Sequence, residues 1–207
     1  MLESLLTPRA VAIIGASRSP GKVGYQILAN LLNSKFDGAI VPVNPSTSEV
    51  LGLTCYPDLK AYPGTIDLSV IVIPAKFVKD AVISSIAAGA KTVCIISAGF
   101  KETGADGAAR EREIVEICRQ SGVRVLGPNC LGHINPHHRM NVSFARQTPA
   151  AGQISFFTQS GALCAAILDW AEANQFGFAR VITMGNKSDI SEVDLLTTLA
   201  DDPETKV

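Results

Sequence analysis

Between Gly15 and Gly24 the chain reads GASRSPGKVG, a stretch whose residue types suit the holding of a phosphate. It follows the β-branched run Ala10–Gly15 and precedes apolar residues at helical spacing, so it joins a strand to a helix. Ligands of open α/β sheets lie outside the carboxyl ends of the strands, where the free N–H groups of the next helix attract anions. Gly15, Gly21 and Gly24 let backbone approach a ligand. Ser17 and Ser19 add hydroxyl donors, Arg18 and Lys22 add charge, and Pro20 and Val23 complete the turn. The spacing is not that of a P-loop: five residues separate Gly15 from Gly21, and Val23 stands where Ser or Thr would hold magnesium. Nor is it G-x-G-x-x-G. The next strand ends Val43-Asn44-Pro45, without the acid that reads an NAD ribose. Asn44 can hydrogen-bond a ribose bearing phosphate, which a carboxylate would repel. A tight turn without a ligand is the competing reading, but position and composition together favour phosphate.

A second cluster lies downstream. Phe156-Phe157-Thr158-Gln159-Ser160-Gly161 puts a strand end directly before a helix, and Met184-Gly185-Asn186-Lys187-Ser188-Asp189 ends the following strand. If these strands are parallel neighbours, their tips open on one edge. They then form a polar crevice with a helix N-terminus aimed into it, which suits a transferable phosphoryl group. The crevice candidates are Gln159, Ser160, Gly161, Gly185 and Asn186. Ser160 is no nucleophile elbow, since Thr158 replaces the first glycine of G-x-S-x-G; a helix cap is an equal reading of it. His133, His137 and His138 read as connector histidines. The five cysteines (Cys55, Cys94, Cys118, Cys130 and Cys164) include no Cys-x-x-Cys pair and read as reduced thiols of a cytosolic protein. Cys130 reads as a packing residue of the Gly-Pro-Asn-Cys turn. No metal site is expected, and no residue of this chain is assigned as catalytic.

Alternating strands and helices must position these clusters. Apolar Val23, Ile27, Leu28, Leu31 and Leu32 predict a helix over 22–33, followed by a strand over 39–43 that stops at Asn44-Pro45. Strands are predicted over 67–73, 91–96 and 123–126. Between them come a helix with Val78, Ala81, Val82 and Ile86 inward, closed by Gly89, and a charged helix over 107–120. Near-continuous apolar strands between amphipathic helices imply a parallel sheet covered on both faces. Residues 1–132 are thus expected to form one α/β domain, and 133–152, without periodicity, a connector. Residues 153–207 are expected to form the first part of a second α/β domain, truncated. In that part strands are predicted over 154–157 and 179–184, with helices over 161–173 and 192–200, the latter capped by Ser191. The stretch 162–171, with Trp170, is apolar nearly all round and is expected to be core. With 207 residues, 47% hydrophobic and 18% charged, the chain can bury a sizeable core. A net charge of −1 argues against a nucleic-acid or membrane-surface role driven by bulk charge. The N-terminus lacks a signal-peptide layout and no apolar run reaches membrane-spanning length, so a cytoplasmic protein is expected.

Several segments together resemble the coenzyme A-binding α part of NDP-forming acyl-CoA synthetases, the family of succinyl-CoA synthetase and ADP-forming acetate–CoA ligase. They are AVAIIGASRSPGKVGYQIL, VPVNP with LGLTCYPDL, IVIPAKFV, CIISAGFKETG, LGPNCLGHINP, TQSGALCAAILDWA and MGNKSDISEVDLL, in family order over nearly the whole chain. The resemblance implies a Rossmann-like CoA-binding domain followed by the start of a flavodoxin-like, succinyl-CoA-synthetase-type domain. It places Ser17, Arg18, Ser19 and Pro20 at the CoA diphosphate. Ile73, Pro74 and Ala75, with Ile96, Ser97 and Ala98, would line the nucleotide and pantetheine path, and Asn129 its pantetheine end. Many relatives carry a lysine after the Val-Asn-Pro turn where this chain has Ser46 and Thr47, so Arg18 or Lys22 is expected to substitute at the 3′-phosphate. The implied parent reaction is an acid–CoA ligase, ADP-forming, acting on a small carboxylic acid through acyl phosphate and phosphohistidine intermediates. ATP/ADP and Mg2+ would be held by a partner ATP-grasp β subunit or domain. The family's phosphohistidine lies farther downstream, so this chain alone is expected to bind CoA without turnover. Three alternatives stand beside this reading: the CoA-binding head of a bacterial protein lysine acetyltransferase, a non-catalytic CoA-responsive module, and a dehydrogenase, which the Asn44 turn disfavours.

Overall fold

The computed structural model describes residues 2–207. A single turn, α1 (Glu3–Leu6), precedes β1 (Ala10–Ile14), α2 (Val23–Asn33) and β2 (Ala39–Val43). A short hairpin, β3 (Glu49–Val50) and β4 (Leu53–Thr54), leads to β5 (Leu68–Ile71), α3 (Val78–Ala87) and β6 (Thr92–Ile95). Then come α4 (Ala105–Gln120), β7 (Arg124–Leu126), β8 (Gly132–Asn135) and β9 (Met140–Ser143). The chain continues through β10 (Ala151–Thr158), α5 (Gly161–Ala173), β11 (Phe178–Thr183) and α6 (Glu192–Leu199).

The first sheet has the order β2-β1-β5-β6-β7, with every pair parallel. Strand order reverses between β1 and β5, the switch point of a doubly wound α/β fold. Alternate side chains go to opposite faces. On one face Val11, Ile13, Leu68 and Val70 pack with Ile27, Leu28 and Leu31 of α2. On the other, Ile14, Val41, Ile71 and Val93 pack with Val78 and Val82 of α3 and Ile114 of α4. Each such side chain contributes roughly 1.5–3 kcal/mol of burial, so the strand tips are held by a rigid body.

The second sheet has the order β10-β11-β8-β9. Its β10–β11 pair is parallel, and its other pairs are antiparallel. The segment 133–152, expected to be a connector without periodicity, holds most of the β8–β9 hairpin. The period-2 pattern was hidden because the buried strand positions include His133, Asn135, Asn141 and Ser143, which look like surface residues. Tertiary hydrogen bonds satisfy most of them; Asn135 Nδ2, for example, donates to Leu6 O at 2.7 Å.

A correction concerns α5. Only the stripe Cys164, Leu168 and Ala171 is buried, against Phe178 and Val181 of β11, whereas Leu163 and Trp170 are 50% and 57% exposed. An apolar composition cannot bury a face that has no neighbour, and the Trp170 ring stands edge-on to Phe176 at 4.8 Å. The α6 helix begins as expected, with Ser191 and Asp194 forming a reciprocal capping box. Among the described residues no helix is long and apolar enough to cross a membrane.

Candidate functional site

The glycine-rich loop is shaped by close approach. A Cβ on Gly24 would lie 2.0 Å from Gly15 O, so only glycine lets α2 start against the end of β1. Asn44 holds the loop from the neighbouring tip. Its Nδ2 donates to Ala16 O at 2.6 Å and its Oδ1 accepts from Ser46 N at 2.8 Å. Much of the side chain expected to meet a ribose is therefore occupied in fixing backbone.

Two cavities open at the carboxyl ends of the first sheet. The smaller, about 450 Å³, lies between the tips of β1 and β2 (Gly15, Asn44, Pro45) and the β5–α3 turn (Ile73, Pro74, Phe77). The larger, about 780 Å³, lies between Ile73 and Pro74, the β6 tip (Ile96, Ser97, Ala98) and Asn129. Gln159, Gly161, Ala162 and Ala165 close it from the start of α5, with Val23 and Phe144 on the flank. Ile73 and Pro74 line both cavities. Ser97 Oγ donates to Ile73 O at 2.5 Å and Ser97 O accepts from Asn129 N at 3.0 Å, so the β5 tip, the β6 tip and the Gly-Pro-Asn-Cys turn are fixed together.

Most of the expected ligand residues are thus brought together. Ser17, Arg18, Ser19, Pro20, Gly21 and Lys22 line neither cavity. They form the rim beside them, where Arg18 to Lys22 are exposed and Ser17 Oγ accepts from Ser19 N at 3.1 Å. Among the described residues Arg18 and Lys22 make no ion pair, which leaves both cations available. Ala75 opens the turn that follows Pro74 and also stands outside both linings.

The downstream cluster divides. The parallel pairing Thr158↔Thr183 puts both tips on one edge, as the crevice required. Gln159 and Gly161 face the larger cavity, and Ser160 caps α5, its Oγ accepting from Leu163 N at 3.1 Å. Gly185 and Asn186 turn away from the cavity and support the Gly-Pro-Asn-Cys turn instead. A Cβ on Gly185 would come within 2.3 Å of Pro128 O and Asn129 O. Asn186 N donates to Pro128 O at 2.8 Å, and its Nδ2 donates to Glu102 Oε2 at 2.6 Å and to Glu111 Oε2 at 2.8 Å. Burial works against the Glu102 carboxylate, but the bonds from Asn186 and from the Gly99 and Phe100 backbone hold its pKa below the usual range. Asp189 accepts from Arg124 Nε at 3.0 Å and from Val125 N at 2.7 Å. In the crevice itself the ammonium of Lys187 lies 2.9 Å from Glu192 and holds that carboxyl's pKa down.

None of the histidines lines either cavity. His137 Nε2 donates to Gly152 O and His138 Nε2 to Pro8 O, each at 2.8 Å. His133 is fully buried, and burial, with the nearby Arg180 cation, pushes its pKa down to about 3. All five cysteines are free and buried. No group of His, Cys, Asp or Glu among the described residues could hold a metal ion.

Residues 9–136 match the family described as CoA binding domain. The chain belongs to that family. Residues 151–207 match the succinyl-CoA ligase like flavodoxin domain, so a CoA-binding domain is followed by a second α/β unit. The acetate–CoA ligase [ADP-forming] I of Archaeoglobus fulgidus is 46% identical over all of this chain and 30% of its own length. The acetate–CoA ligase [ADP-forming] II subunit alpha of Pyrococcus furiosus is 42% identical over all of this chain and 45% of its own. The chain therefore spans less than half of these relatives. A solved dinucleotide forming acetyl-coenzyme A synthetase 1 from Ca. Korarchaeum cryptofilum, in complex with phosphate and ADP, superposes with a TM-score of 0.95 at 38% identity, covering 99% of this chain and 44% of that one.

Two aromatic residues at the cavities escaped the reading of the sequence. Phe77, 50% exposed, faces the smaller cavity, with the Lys76 ammonium 4.8 Å above its ring. An aromatic residue just outside the buried stripe Val78, Ala81 and Val82 was the available signal. Phe144 sits in the segment taken as a connector, where no periodicity marked it.

Proposed function

We propose that the two cavities together hold one CoA molecule, within the α part of an ADP-forming acid–CoA ligase. The observation that carries this is the ridge Ile73-Pro74, which belongs to both cavities and makes them one path from the β1–β2 tips to the start of α5. The nucleotide would occupy the smaller cavity, beneath Gly15, Asn44 and Pro45. The diphosphate would lie at the α2 N-terminus with Ser17, Arg18, Ser19 and Lys22, where backbone N–H groups favour anions. The arm would pass Ile96, Ser97 and Ala98 and bring its thiol towards Asn129. Gln159, Gly161 and the N-terminus of α5 would then face the acyl phosphate, and the Ser160 cap would keep that helix end in place.

In this reading the chain supplies the CoA site and one wall of the phosphate crevice, while a partner ATP-grasp subunit or region holds ATP/ADP and Mg2+. The acid would be small, as acetate is. The division into residues 1–132, 133–152 and 153–207 belongs to the same proposal, with the middle piece a structured hairpin. The buried free thiols support a reducing, cytoplasmic setting.

The test is calorimetric titration of the chain with CoA, dephospho-CoA and NAD+. Micromolar CoA binding with little NAD+ affinity is expected, and R18A and K22A should each weaken CoA, with dephospho-CoA losing as much where the cation meets the diphosphate and less where it meets the 3′-phosphate. Tighter binding of NAD+, or none of CoA, would remove the ligase reading.

A further inference from the structure

Phe144 is an aromatic side chain that the fold holds open rather than buries. It is 38% exposed, although Ser143 and Ala145 on either side of it are buried. From α2 the Asn30 side chain, 3% exposed, donates to the two flanking carbonyls, Ser143 O at 2.8 Å and Ala145 O at 2.9 Å. Its own oxygen accepts from Gln26 Nε2 at 2.9 Å. Asn141 braces the segment from within, its Oδ1 accepting from Ser143 Oγ at 2.6 Å and its Nδ2 donating to Thr148 Oγ1 at 2.9 Å. Breaking any of these bonds would strand a buried polar group without its partner. The segment is therefore locked, and Phe144 is mounted on it facing the larger cavity.

The lining of that cavity also carries Val23, Leu131, Ala162 and Ala165, none of which has a hydrogen-bonding side chain. The polar lining, Ser97, Asn129 and Gln159, comes from other positions. A preorganised, largely apolar lining with a few polar groups fits a ligand with an apolar stem and a polar end. The helix that braces Phe144 is also the one that begins at the glycine loop, so α2 fixes the distance between the anion-binding end and Phe144.

We infer that Phe144 is the surface against which the apolar stem of CoA, the pantetheine arm with its gem-dimethyl group, packs, and that Asn30 is the positioning residue that holds it there. This rests on the CoA reading above. Adenosine 3′,5′-bisphosphate shares the nucleotide of CoA but lacks the arm, and it separates the two claims. In calorimetric titrations of the full chain, F144A should weaken CoA about tenfold to thirtyfold, the effect of uncovering part of one aromatic side chain. It should leave the bisphosphate within about twofold, and F144L should recover most of the CoA affinity. N30A should reproduce the selective loss, and the double variant should bind CoA no more weakly than F144A. F144A acts whether or not N30A folds. Unchanged CoA affinity in F144A, or an equal loss for both ligands, would overturn the inference. A wild-type chain that binds neither ligand would instead overturn the CoA reading, and the inference with it.

Discussion

Acidification offers a direct test of how the second sheet is held. His133 lies fully buried on β8, and burial holds its imidazole neutral, with a pKa of about 3. In the unfolded chain a histidine titrates near 6.5. Below about pH 6.5 the unfolded state therefore binds a proton that the folded state refuses, and stability falls as pH falls, down to about pH 3. Each pH unit is worth about 1.4 kcal/mol, so moving from pH 7.5 to 5 should remove about 2 kcal/mol through this one residue. That window lies above the range in which unfolded carboxylates titrate, about 4. It therefore excludes the acids whose pKa is lowered in the folded state, such as Asp194 at about 2, held down first by the Ser191 hydroxyl. The groups that face the ring, Arg180, the Leu5 backbone and His138, remain in place in a His133→Leu variant. Urea unfolding at the two pH values should show the wild type losing about 2 kcal/mol more than H133L. Parallel losses in the two proteins would refute the reasoning.

Three further outcomes follow from the geometry. Gly24→Ala would place a methyl 2.0 Å from Gly15 O, so the loop must shift; CoA affinity should fall by tenfold or more in calorimetry, with a lowered Tm. Arg124 spans Asp189 and Asp194 at 3.0 Å each, and R124A should cost about 1–3 kcal/mol in urea unfolding, with R124K recovering only part because an ammonium cannot fork. Ser191→Ala removes the capping box of α6 and should cost about 1 kcal/mol by the same measurement.

The parallel sheet was legible because its strands are β-branched runs that end at Gly, Asn or Pro, and because α2 and α3 repeat apolar residues at helical spacing. Local chemistry and global fold agree there. The hairpin β8–β9 was not legible, since His133, Asn135, Asn141 and Ser143 occupy interior positions that are satisfied only by distant partners. Propensity cannot see a hydrogen bond from Asn30 to Ser143. For α5 the error ran the other way: composition announced a core, but burial depends on what lies opposite. Within the site, strand-tip residues such as Ile73, Pro74 and Ser97 followed from topology and family likeness. Gly185 and Asn186 did not face the cavity because a motif gives residue types, while the direction of its carbonyls decides whether it meets a ligand or a neighbouring turn. Phe144 was invisible for lack of a periodic frame to place it in.

The seam between residues 125–129 and 186–190 carries a consequence for how the molecule can be taken apart. Asn186, Ser188 and Ile190 donate their backbone N–H groups to Pro128, Gly127 and Val125 in register, at 2.8 to 3.1 Å. One hydrophobic cluster runs from Ile13 and Ile27 through Val142 to Ile182 and Leu195. The segments that match the two sequence families therefore share one interior, and a single melting transition is expected for the chain in calorimetry. A cut at the junction suggested by sequence would split a shared interior, stranding the β8–β9 hairpin away from either β11 or α2. Exchanging segments of this chain with those of a relative is better attempted beyond α6 than between the families, where backbone hydrogen bonds and a shared interior join the two.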